Sequence, residues 1–163
     1  MEKKQKRPFG MILLIILFTL SFLSSVTTLF LMNNITDILI WSSYGIFWLF
    51  YLLTITFAIL EGYLIYLYIK RKKKGFRLSL FYFSLSILFL IFSFILITLN
   101  SEVTQEAMNY YISQRADTLE ETSFVSSFAT NPGFMFLITT ISIAFYAFIS
   151  WYVIKKKGYF SEV

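Results

Sequence analysis

The chain has no cysteine, no histidine, two prolines and six glycines in 163 residues, and only 14% of its side chains are charged. Each shortage removes a class of chemistry. Without cysteine there is no disulfide and no thiolate nucleophile or ligand. Without histidine there is no imidazole metal site, serine–histidine triad or histidine-ligated haem. Nor does the sequence contain a glycine-rich phosphate loop, an HExxH pattern or paired aspartates within one apolar run. These gaps predict a non-enzymatic protein with no metal and no cofactor.

What remains is apolar side chain, at 58% of residues, with 21% aromatic. That is too greasy for a soluble surface of ordinary polarity and reads as an integral membrane protein. A hydrocarbon core of about 30 Å takes roughly 20 helical residues. Four runs reach that length, at about 9–32, 46–69, 78–99 and 134–154. The expected fold is all-α, a single four-transmembrane-helix bundle over 1–163, with little chain left for a separate soluble domain. The first run follows a short basic segment, as a secretory signal does. Its apolar stretch exceeds the usual signal core of about 7–15 residues and no small-x-small site stands cleanly at its end, so it is expected to stay as a helix. No lipidation motif is present.

Charge sets the orientation. Lys3, Lys4, Lys6 and Arg7 precede the first run; Lys70, Arg71, Lys72, Lys73, Lys74 and Arg77 join the second to the third; Lys155, Lys156 and Lys157 follow the fourth. Only Arg115 falls elsewhere, so thirteen of fourteen cations share one side. The positive-inside rule makes that side, with both termini, cytoplasmic in the cell membrane. Asp37, Glu102, Glu106, Asp117, Glu120 and Glu121 fall on the opposite face. The net charge of +5 does not point to nucleic acid here, because the cations are pinned beside membrane spans. The expected contacts of Lys70 to Lys74 and Arg77 are anionic inner-leaflet lipids, at about 1 kcal/mol per nearby cation.

The expected helix contacts come from small and polar residues. Ser79, Ser86, Ser93 and Asn100 repeat every seven residues along one seam of the third span. Ser21, Ser24, Ser25 and Thr28 in the first, and Thr140, Ala144 and Ala147 in the fourth, offer small faces for close helix approach. Asn131-Pro132-Gly133 supplies a cap and a first-turn proline for the fourth span. Trp41, Tyr44 and Trp48, with Trp151 and Tyr152, are expected at headgroup level. Residues 33–43 read as a short interfacial loop. Its Asn34-Ile35-Thr36 matches a glycosylation acceptor set almost on the membrane surface. The outward loop, 100–131, is expected to hold a short amphipathic helix around Val103, Ala107, Tyr111 and Leu119. Phe124, Val125 and Phe128 should then touch the bundle or the interface.

An internal echo links Lys72-Lys73-Lys74-Gly75-Phe76 to Lys155-Lys156-Lys157-Gly158-Tyr159. Superposing the two sets Glu61 opposite Ala144, so a symmetric site with one acid per half is disfavoured. Arg7-Pro8-Phe9-Gly10, then Lys73-Lys74-Gly75-Phe76-Arg77, then Tyr152-Val153-Ile154-Lys155 with Tyr159-Phe160 resemble a broad group of small archaeal and bacterial four-helix membrane proteins of unknown function. Serines stand at 24 and 25 where that group often has glycines, and Phe76 where it has tryptophan. The resemblance implies a topology and no catalytic residue.

One acid lies within the spans. Glu61 is nine residues before Lys70, about 13 Å along a helix and so near mid-membrane. A charge there costs at least about 2.5–3.5 kcal/mol, so the side chain should face inward, protonated or hydrogen-bonded. Thr54, Ala58, Ile65 and Tyr68 share its face, and Tyr146, Ser86 and Ser93 are candidate partners. Two readings follow. The favoured one is a scaffold or accessory subunit, partnered by another membrane protein or a second copy, in which Glu61 holds helices together. The alternative is a small proton- or cation-coupled transporter working through Glu61.

Overall fold

A computed structural model describes residues 8–31, 35–99, 102, 105, 106 and 131–160. Helices account for nearly all of these: α1 (Phe9–Leu31), α2 (Ile35–Ser43), α3 (Phe47–Ile69), α4 (Lys73–Leu99) and α5 (Pro132–Lys155), followed by a 3-10 turn (Lys157–Phe160). α1, α3, α4 and α5 are long and apolar enough to cross a membrane, which makes this a multi-pass membrane protein. α1 packs chiefly on α3, α4 chiefly on α5, and α3 meets α4, giving a four-helix bundle. The outer faces carry large apolar side chains such as Phe30, Leu88 and Ile141, as lipid-facing surfaces must.

The two tight connections use one device. After α2, Ile46 N–H donates to the Trp41 carbonyl (3.1 Å) and Gly45 N–H to that of Ser42 (2.9 Å). This is a Schellman closure, with Gly45 in the left-handed seat at φ 68°. After α3, Lys72 N–H donates to Leu67 (3.0 Å) and Arg71 N–H to Tyr68 (3.3 Å), the same pattern. Here the left-handed seat holds Arg71 at φ 52°, where a side chain costs about 1–2 kcal/mol. Its guanidinium lies 5.2 Å from the centre of the Tyr159 ring.

Because that turn closes within three residues, α4 begins at Lys73, five residues before the expected start at 78. Its cations interrupt the hydropathy of the run but not its hydrogen bonding. α5 starts as expected. Asn131 Oδ1 accepts from Gly133 N–H (2.9 Å) and Phe134 N–H (3.3 Å), and Pro132 follows at the first helical position.

Several expectations are corrected. Residues 35–43 form α2 rather than a loop, and α2 clips α3 to α4: Ile40 and Trp41 are buried with Phe50 and Leu96. Trp41 is 1% exposed and stacks 5.6 Å from Phe89, so its ring packs the bundle end rather than facing outward. Tyr44 spends its hydroxyl on the Leu96 carbonyl (2.9 Å). Tyr152 lies against α1 at Gly10, where an added Cβ would collide with its hydroxyl. Trp48 and Trp151 are exposed, and Lys155 sits 5.0 Å over the Trp151 ring. On α5, Thr140, Ala144 and Ala147 are exposed and form no contact face against the described residues. Asn34, Asn100, the amphipathic helix expected within 100–131 and Phe124, Val125 and Phe128 lie outside the described residues.

Candidate functional site: a carboxyl at the floor of a polar cavity

Glu61, on the inner face of α3, is 1% exposed. Three hydroxyls converge on it. Oε1 accepts from Ser21 Oγ (2.5 Å) and Tyr82 Oη (2.7 Å), and Oε2 accepts from Ser25 Oγ (2.9 Å). Ser21 and Ser25 are four residues apart, hence stacked on one face of α1, so each reaches a different carboxyl oxygen. Tyr82 comes from α4, and Glu61 therefore ties three helices at one point. Hydroxyls donate to a carboxylate and, on rotating, accept from a carboxylic acid, so this shell serves either form. The nearest cation along the chain is Lys70, about 13 Å away along α3.

Above Glu61, toward the α2 end, lies a cavity of about 240 Å³. α1 lines it with Ser24, Ser25 and Thr28; α3 with Phe50, Thr54 and Phe57; α4 with Ser86, Phe89 and Leu90; and α5 with Tyr146. Hydroxyls and aromatic faces thus alternate around a single carboxyl. Two of the hydroxyls are paired with their own helices: Thr54 donates to Phe50 (2.8 Å) and Ser86 to Tyr82 (2.9 Å). Their oxygens keep accepting capacity toward the cavity. A smaller groove of about 140 Å³, lined by Leu17, Phe18, Phe145 and Ile149 among others, reaches Ser21, Tyr82 and Tyr146 from the α1–α5 side.

Toward the basic end the interior is filled. Phe18 stands edge-on to Tyr68 and Tyr82, each at 5.4 Å, and stacks on Phe83 at 5.9 Å. Below them Ser79 donates to the Gly75 carbonyl (2.6 Å), which leaves Tyr68 to donate to Ser79 (2.9 Å). Tyr159 donates to the Tyr68 carbonyl (2.8 Å), closing the C-terminal turn over this end.

The candidate residues named from sequence divide. Glu61, Ser86 and Tyr146 border one cavity, although neither Ser86 nor Tyr146 is among the groups that hydrogen-bond Glu61. Ser93 does not line it; its hydroxyl is buried without a hydrogen-bond partner among the described residues. Missed were the ligands themselves, Ser21, Ser25 and Tyr82. A signal for Tyr82 existed: it lies nine residues after Lys73, as Glu61 lies nine before Lys70, which sets the two at one depth on adjoining antiparallel helices. Of the basic residues, Lys73, Lys74 and Arg77 line a pocket at the helix ends, whereas Lys70, Arg71 and Lys72 do not.

Compared with known proteins, the chain matches no family model, no curated protein and no solved structure.

Proposed function

We propose that this chain is a non-enzymatic carrier that takes a proton or a small cation into the cavity above Glu61. The observation that carries it is the carboxyl itself, buried at the floor of a 240 Å³ cavity and held by hydroxyls rather than by a cation. Such a space forgoes dispersion contacts on which helix association in lipid depends. The cavity is polar and large enough to hold several waters. A cation entering it would neutralise Glu61, with Phe50, Phe57 and Phe89 offering aromatic faces to its charge. The thirteen cations on one side support an orientation with both termini in the cytoplasm, so the cavity lies in the outer half.

A second reading keeps Glu61 structural, in a scaffold or accessory subunit. Its observation is that the same three hydrogen bonds join α1, α3 and α4 and leave no carboxyl oxygen without a partner.

Flux separates the two. The full chain is reconstituted in liposomes carrying an internal pH dye, and a gradient of Na⁺, K⁺ or a small alkylammonium is imposed. Wild type should move protons against one of these, and Glu61→Gln should abolish the movement while keeping its unfolding midpoint in detergent close to wild type. Absence of flux from wild type with every cation sinks the carrier. A Glu61→Gln protein that unfolds much earlier supports the structural reading.

A further inference from the structure

We propose that the basic end carries a pocket for the phosphate of an anionic lipid headgroup, built from both halves of the repeated Lys-Lys-Lys-Gly motif. The pocket is about 370 Å³ and is lined by Lys73, Lys74, Phe76 and Arg77 from the first turns of α4 and by Lys157 and Phe160 from the 3-10 turn. Four cations from segments some 80 residues apart thus face one space, and no carboxylate lines it among the described residues.

Backbone and core hold those cations there. Lys73, Lys74 and Arg77 ride on a helix, not a loop. The 3-10 turn is fixed by Phe160, 1% exposed, which stands edge-on to Tyr68 at 5.0 Å. It is fixed again by the Tyr159 hydroxyl on the Tyr68 carbonyl. Gly75 suits the close fit, since a Cβ there would come within 3.1 Å of the Phe160 ring and 3.2 Å of Leu67. Lys157 is then held 5.7 Å over the centre of the Phe76 ring.

The chemistry matches a phosphate ester on an apolar stem. Converging ammonium and guanidinium groups neutralise the phosphate, with arginine able to engage two of its oxygens. Phe76 and Phe160 supply an apolar wall that a free inorganic ion would not use. Leu78 opens the continuous apolar part of α4 directly beyond Arg77, which sets the pocket at headgroup height. This site is separate from the Glu61 cavity and stands or falls without it; only the leaflet that supplies the lipid rests on the orientation given above.

The test uses the full chain in a neutral detergent, titrated with short-chain phosphatidic acid, phosphatidylglycerol or phosphatidylcholine and read by native mass spectrometry. Wild type should retain one anionic lipid at least tenfold more tightly than phosphatidylcholine. The pair Lys74→Gln with Lys157→Gln should lose at least fivefold. Lys70→Gln with Lys72→Gln, which removes equal charge outside the lining, should lose less than twofold, and Lys157→Arg should retain binding. Equal losses in the two pairs would mean diffuse attraction and overturn the pocket. Displacement of the lipid by an equal concentration of inorganic phosphate would overturn the lipid as its source. Unfolding midpoints close to wild type establish that these exposed substitutions leave the fold intact.

Discussion

Toward its basic end the bundle is filled with rings, and on the far side of Glu61 it is lined with hydroxyls around a space. Phe18, Tyr68, Tyr82, Phe83 and Phe160 interlock below the carboxyl; Ser25, Thr28, Thr54 and Ser86 surround the cavity above it. Both regions are built from the same four helices, so the difference lies in which side chains the inward faces carry. In lipid, helix association depends on dispersion and hydrogen bonding. The ring-packed half supplies the first in quantity, with the smaller groove beside Phe18 left open. The other half adds the hydrogen bonds at Glu61 to the α1–α3 contact and leaves a space between the helices. One half is packed with rings and the other is lined with hydroxyls around a cavity.

The largest effect should come from breaking the filled half. Phe18→Ala removes a ring, 3% exposed, that touches three others, and should lower stability by about 3 kcal/mol, near the lower end for a buried aromatic truncation. Unfolding in mixed micelles followed by intrinsic fluorescence measures it, and a change under about 1 kcal/mol would show that this half is not filled as described. A smaller effect is expected at the closure of the basic end. Tyr159→Phe removes one hydrogen bond to the Tyr68 carbonyl, which still accepts from Arg71 N–H, so about 1 kcal/mol should be lost in the same assay. The smallest belongs to the cavity. Thr28→Ala only widens a space already present and should change stability by less than about 0.5 kcal/mol. A loss as large as that of Tyr159→Phe would mean that the cavity wall is a packed contact.

Four spans and the capped start of α5 were legible because hydropathy over some 20 residues and an Asn-Pro pair are local properties. The start of α4 was not, since hydropathy reports where lipid begins and hydrogen bonding reports where a helix begins. With Arg71 in a seat that glycine usually takes, nothing in the local sequence announced so short a turn. Trp41 carried an aromatic's two meanings, headgroup belt and buried wedge, and only the fold of α2 against Phe50 and Phe89 decides between them. At the site, the inward placement of Glu61 followed from its isolation in an apolar run. Its partners did not, because serines spaced four apart on α1 read equally as a surface for close helix approach. What distinguished them was depth in the membrane, a coordinate that emerges when spans are laid antiparallel and compared.

The early start of α4 also has a mechanical side. Twenty-seven residues make a rod of about 40 Å, against a hydrocarbon slab of about 30 Å. The surplus sits at the basic end, where Lys73, Lys74 and Arg77 form a rigid collar. A thicker bilayer must draw that collar inward until its cations snorkel, and a thinner one must tilt the rod or lift the collar clear of the phosphates. The helix thereby couples the height of its own charges to the thickness of the surrounding membrane, a gauge fixed by length alone.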